Sequence, residues 1–260
     1  MNFILWTLVV SIVINIIMFV PAFIYKTDKL TDISYAVTFA VVAIAGFLRS
    51  EQMTLHKIVL LLVLMWSLRL GTFLFIRINK MKKDVRFDGM REYFFKFLRF
   101  WLLQGATVFV VLLAASYAFM QKDPVITWLS ILGIVVFVKG LAIEATADMQ
   151  KFIFNGKPKN KGKWIDEGIW RASRHPNYLG EMMVWIGMYL VVLPSLTGNQ
   201  WAWALLSPIY IVTLLLFVSG VPLLEKSADK KWGTNPAYKK YKKEVPSVMP
   251  TPKSISRALK

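Results

Sequence analysis

Arg171-Ala172-Ser173-Arg174-His175-Pro176-Asn177-Tyr178-Leu179-Gly180-Glu181 gathers two guanidinium groups, an imidazole, an amide, a phenol and a carboxylate where a basic loop meets a long apolar run. Proline lacks an N–H and has a fixed φ, so Pro176 suits the first turn of a helix. A helix starting there aims its unpaired N–H groups and positive dipole end at whatever stands before it. Arg171, Arg174 and His175 add donors at that end, and such a place attracts an anion, most commonly a phosphate. Asn177, Tyr178 and Glu181 fall on adjacent helical faces, because residues three and four apart are neighbours. Glu181 enters the apolar run, and an ionisable side chain at membrane depth is a functional-site hypothesis by default. Basic clusters at the ends of membrane helices also act as topology signals. That rule asks only for Lys and Arg, and has no use for the His, Asn, Tyr and Glu in the same two turns.

A second group precedes this one. Glu144 and Asp148 stand four apart on one helical face at the exit of the fifth apolar run. Two like charges at that spacing repel unless a cation or hydroxyl sits between them. The pair therefore suits ribose hydroxyls or a carboxamide. Asn155–Trp164 follows, with lysines at every second position and Lys161 among them. It suits a second phosphate, and a solvated basic loop beside lipid is the competing reading. Towards the N-terminus, Asp32 and Tyr35 share a face where the second run begins. They are either an acid and its neighbour near a positive helix end or polar groups for a substrate. Arg69 lies mid-span and needs a partner, for which Asp32 and Glu144 are candidates. Asp84-Val85-Arg86-Phe87 and the pair Tyr238 and Tyr241 read as packing within a cap.

The elements that must position these groups are membrane helices. Of the 260 residues 56% are hydrophobic, the mean hydropathy is +0.51, and several runs approach bilayer length. Seven spans can be drawn: Phe3–Ile24, Ile33–Leu48, Ile58–Ile76, Phe100–Phe119, Val125–Ile143, Met182–Leu196 and Trp203–Leu224. The expected fold is an all-α integral membrane protein with loops capping a cofactor cavity. It forms one polytopic domain over 1–260, its cofactor half beginning near residue 125. The first run lacks the basic n-region and A-x-A-like site of a signal peptide, and reads as an anchor.

Charge follows the spans. Eight basic residues lie between Arg77 and Arg99, seven between Lys151 and Arg174, and ten after Glu225, while the intervening connections carry three. By the positive-inside rule these basic segments and the C-terminus are cytoplasmic and the N-terminus is outside. The formal charge of +17 is thus largely topogenic, with some attraction to lipid headgroups, which argues against nucleic acid as a partner. Zero cysteines exclude disulfides and thiolate metal sites. His56 and His175 are too far apart in the chain to suggest a histidine metal centre.

Several of these stretches follow one another in a recognisable order. They are Trp66-Ser67-Leu68-Arg69-Leu70, Asp84-Val85-Arg86-Phe87, Asp148-Met149-Gln150-Lys151, Pro158–Lys163, Gly168-Ile169-Trp170-Arg171, Ser173–Glu181 and Ser219–Glu225. In this series the chain resembles bacterial membrane proteins grouped as a domain of unknown function, DUF1295, beside the steroid 5-alpha-reductases. A shorter Arg-His-Pro-x-Tyr-x-Gly pattern is shared with isoprenylcysteine carboxyl methyltransferases and phospholipid methyltransferases. The Asn before Tyr and the Glu after Gly look more like the reductase branch.

The resemblance implies a seven-helix reductase of a bacterial inner membrane. It would take NADPH from the cytosol and deliver hydride to a C=C bond conjugated to a carbonyl in a lipophilic, steroid-like substrate. It places Asp148, Asn177 and Glu181 at cofactor contacts, Glu144 where the steroid enzymes carry Asn, and Arg171 and Arg174 on phosphates. The steroid enzymes grip the ketone with a Glu in the second span and a Tyr in the third. Here the third-span position is Trp66, a weaker donor, and Asp32 and Tyr35 are the nearest substitutes. Two rival expectations are an S-adenosylmethionine-dependent methyltransferase acting on a lipid or prenyl thiol, and a non-enzymatic lipid-binding protein. The lysine loop separates the enzymes, since a dinucleotide has phosphates to neutralise and S-adenosylmethionine has none.

Overall fold

Seven helices are long and apolar enough to cross a membrane, and no strand accompanies them among the described residues. The computed structural model describes residues 2–81 and 87–259, without the side chain of Met81, so the expectation for Asp84-Val85-Arg86 lies outside the described residues. The helices are α1 Phe3–Ile24, α2 Lys29–Leu48, α3 Thr54–Met81, α4 Phe94–Val111, α5 Leu113–Phe119, α6 Trp128–Gly156, α7 Pro176–Val192, α8 Gln200–Thr213, α9 Val221–Trp232, α10 Pro236–Glu244 and α11 Pro252–Ala258.

The first expected span coincides with α1, and the others differ from expectation for physical reasons. Hydropathy marks lipid contact, whereas a helix continues until its backbone is interrupted. From Glu144 onward the chain has neither Gly nor Pro until Gly156 and Pro158, so α6 runs through Glu144 and Asp148 and places both in a helix body. The expected fourth span is broken at Leu112 into α4 and α5. The seventh contains a π-helical turn over Leu214–Val218, and α9 then starts after Gly220 with Pro222 in its first turn.

The chain divides into two compact units, Met1–Gly133 with Met188–Ser207, and Ile134–Gly187 with Pro208–Lys260. In the first, α1, α2 and α4 are joined by buried amides. Asn15 Nδ2 donates to Thr38 Oγ1 at 3.3 Å, and Gln104 Nε2 donates to Asn15 Oδ1 at 2.8 Å. Such interhelical bonds hold membrane helices together where lipid supplies no hydrophobic drive. Small residues allow close approach: a Cβ on Gly71 would stand 2.8 Å from that of Ala36. Arg91 and Asp28 form a buried ion pair at 2.6 Å. Asp32 pairs with Arg77 at 3.1 Å. The Tyr35 ring meets Phe39 and Trp66 edge-on.

In the second unit α6 and α7 cross with their backbones almost touching. A Cβ on Gly180 would lie 2.6 Å from both the Glu144 nitrogen and the Gly140 carbonyl oxygen. Glycine at both 140 and 180 is what this contact requires. It sets buried Glu144 beside the first turns of α7.

Candidate functional site

Pro176 opens α7, as its missing N–H predicts. The two residues before it are held by the C-terminal tail. Arg174 N donates to Pro246 O and His175 N to Ser247 O, each at 3.0 Å, and Ser173 Oγ donates to Ser247 O at 3.2 Å. Tail backbone thus lies alongside the residues that lead into the helix.

Glu225, in the first turn and a half of α9, is the electrostatic centre of the unit. Arg174 embraces it with two bonds, Nε to Oε1 at 3.0 Å and an Nη to Oε2 at 3.1 Å. The other Nη of Arg174 donates to the carbonyls of Lys242 and Val245. His175 Nε2 lies 2.8 Å from Oε1, and Lys242 Nζ lies 3.1 Å from Oε2 and 2.7 Å from Asp229. This forked geometry is one that lysine cannot supply. In the neutral tautomer whose Nε2 proton faces the carboxylate, His175 Nδ1 is a bare acceptor. It is buried and has no hydrogen-bond partner among the described residues, and the same is true of Asn177 Oδ1 and Ser247 Oγ. The His175 ring stacks on Tyr178 with centroids 5.7 Å apart.

Beside this hub opens a cleft of about 330 Å³. Trp164, Trp170, Trp232, Tyr238 and Tyr241 supply its aromatic walls, and Lys151, Lys163, Lys231, Arg174 and His175 its cations. Lys151 lies over the Trp170 ring and Lys231 over the Trp232 ring, at 4.7 and 4.6 Å from the centroids. Trp170 is pinned by its indole N–H on Ala147 O and by Tyr241 Oη, which donates to Trp170 O at 3.0 Å. The arrangement offers flat apolar faces for a heterocycle and positive charge for an anion.

Few of the residues singled out from sequence line this cleft. Arg174 and His175 line it, with Arg174 also clamping Glu225 and the tail. Lys161 is exposed, and Lys163 is the loop lysine that reaches the cleft. Arg171 donates to Asp166 O at 3.1 Å and lines a different cavity with Lys253, Ser256 and Arg257. Glu144 and Asp148 lie on α6 and are not among the cleft's lining residues. Glu181 accepts from Trp185 Nε1 at 3.3 Å. Asn177 and Tyr178 occupy the first turn of α7. Asp32 and Tyr35 belong to the first unit.

Sequence reasoning missed Glu225, Lys151, Lys163, Lys231 and the three tryptophans as site residues. It placed Tyr238 and Tyr241 in cap packing, where they do sit, and they also form a cleft wall. The available signal was Pro236–Glu244, in which two aromatics three apart interrupt a lysine-rich helix and must face inward.

Burial, and then the nearby Asp166 charge, raise the Tyr241 phenol above its ordinary value near 10. A raised folded value means stability that is intact below about pH 10 and lost as pH rises through the folded value. Tyr241→Phe should therefore melt lower at neutral pH by about 1–2 kcal/mol, for the lost bond and the stranded Trp170 carbonyl. It should also show a shallower alkaline loss than the parent protein. Melting curves at neutral and strongly alkaline pH check both.

The family described as Protein of unknown function (DUF1295) matches residues 18–245. The chain belongs to the DUF1295 family. No curated protein and no solved structure matches it. In this DUF1295 protein the matched stretch takes in Asp32, Tyr35, the whole Glu144–Glu181 segment and Glu225. It stops just short of Pro246 and Ser247, whose carbonyls brace the entry to α7.

Proposed function

We propose that this DUF1295 protein is a membrane oxidoreductase that uses a nicotinamide dinucleotide, NADPH in the first instance, to reduce a C=C bond of a lipophilic enone. The observation that carries the reading is the cleft of the second unit. It combines five aromatic rings and five cationic or protonatable side chains, among them His175, whose buried Nδ1 has no described partner; Asn177 Oδ1, in the same state, lies two residues further on in α7. Buried polar atoms in this state are normally satisfied by water or a ligand. Two acceptors of this kind fit the N–H groups of a carboxamide. The lysines fit phosphates, and the aromatic faces fit a base.

Bound there, a reduced nicotinamide supplies hydride. The protein's share is to hold phosphate with Lys151, Lys163 and Lys231, to keep His175 in one tautomer through Glu225, and to exclude water. Asp148, Glu144 and Glu181 are the candidates for hydroxyl and amide contacts on α6 and α7. Within the first unit, taken by itself, Tyr35 is the member of the Asp32–Tyr35 pair able to donate a proton, because Asp32 is engaged by Arg77 and an ionised carboxylate only accepts.

One observation favours the methyltransferase reading, namely that an aromatic-lined cleft also suits a sulfonium cation. The lysines in the same walls oppose it.

Thermal stabilisation of the purified protein by NADPH, NADH and S-adenosylmethionine tests the proposal. A ligand at about a hundred times its dissociation constant adds about 2.7 kcal/mol to the native state. A rise in melting temperature with NADPH or NADH and none with S-adenosylmethionine is expected. The reverse pattern transfers the site to the methyltransferase reading, and no rise with any of the three removes the enzyme proposal.

A further inference from the structure

The C-terminal tail carries a strongly charged surface that the cleft does not use. A concavity of about 740 Å³ opens among the lysines of α10, Thr251 and Lys253. Lys239, Lys243 and Lys253 are exposed and make no ion pair among the described residues, in contrast to Lys242 on Glu225 and Asp229. Glu244 is the sole carboxylate between Pro236 and Lys260, and it is engaged by Arg257. The same short segment turns large apolar side chains outward, with Met249 68%, Ile255 46% and Leu259 84% exposed.

The geometry points to a binding surface for anionic phospholipid of the membrane that the chain spans. Three features select a bilayer over a soluble polyanion. Lysine and exposed apolar side chains on one segment are the composition of an interfacial element, since the lysines meet headgroup phosphates while the apolar groups enter the acyl boundary. A free phosphate or nucleic acid would leave Met249, Ile255 and Leu259 in water. The tail is also tethered at the membrane edge, for Pro246 and Ser247 accept the N–H groups of Arg174 and His175, which immediately precede the membrane-crossing α7. Arg174 lines both this concavity and the aromatic cleft, so ordering the tail orders a wall of the cleft.

The test uses the full chain in nanodiscs of phosphatidylcholine alone or with one-third phosphatidylglycerol, read by amide hydrogen exchange across residues 245–259. Exchange should slow several-fold in the anionic discs. The triple change Lys239→Gln, Lys243→Gln, Lys253→Gln alters exposed side chains and should leave the fold intact. It should weaken the lipid interaction about a hundredfold, about fivefold per lysine, and abolish the difference between discs. Met249→Ser with Leu259→Ser should reduce it. Inorganic phosphate added to neutral discs should give no protection. Equal exchange in the two discs, a difference that survives the lysine variant or is undiminished in the serine variant, or protection by phosphate alone would each overturn the assignment.

Discussion

Arg174→Ala should destabilise the second unit by about 3 kcal/mol, the largest loss expected from any single side chain at the site. Removing one partner of a largely buried, hydrogen-bonded ion pair leaves the remaining groups poorly satisfied. Here the deletion strands Glu225 with fewer donors and frees the carbonyls of Lys242 and Val245 at once. At about 2–4 °C per kcal/mol, the melting temperature should fall by about 6–12 °C. Arg174→Lys should recover little of this, because an ammonium cannot span both carboxylate oxygens and the tail carbonyls. The loss should be the same in the presence of NADPH and of NADH. A variant that keeps its melting temperature but binds NADPH selectively less well would instead make Arg174 a reader of the 2′-phosphate and remove its role as a clamp.

Gly180→Ala is expected to do comparable damage by a different route. The added Cβ meets backbone on α6 at 2.6 Å, from both the Glu144 nitrogen and the Gly140 oxygen, and backbone cannot rotate away as a side chain can. Overpacking of this kind costs about 1–3 kcal/mol and at times more. The upper end is expected because two helix backbones must part. Their separation carries Glu144 away from the first turns of α7, so stabilisation by NADPH should disappear even in the fraction that remains folded. Ile186→Ala, on an exposed part of the same helix, serves as the control and should change little. Wild-type melting and ligand response in Gly180→Ala would show that the close crossing is dispensable.

Much of this architecture could be read locally. A helix needs only its own residues to declare a start at Pro176, and an apolar run declares its partition into lipid without reference to the rest of the chain. The unusual composition of Ser173–Glu181 was legible for the same reason, because its polar groups are out of place beside an apolar run. The partner of each charge was not legible. Arg174 and His175 meet a carboxylate about fifty residues away, and although Glu225 closes the recognisable Ser219–Glu225 stretch, nothing in that stretch says which cations it meets. In the lysine loop, Lys161 and Lys163 are equivalent as letters, and only the path of the chain turns Lys163 to the cleft. For Asp32, Arg69 and a substrate were the candidates, and Arg77, which the structure pairs with it, was not among them.

The sequence by itself determined that this protein is a set of seven membrane-crossing helices of the DUF1295 family, with a chemically loaded turn at the head of α7. Tertiary structure alone decided that Glu225 gathers the cations of that turn, that the tail braces it, and that aromatic rings from α9, α10 and the α6–α7 connection line one cleft. Partition into lipid and helix initiation depend on nearest neighbours along the chain. Pairing of charges and stacking of rings depend on which side chains the folded backbone brings within a few ångströms.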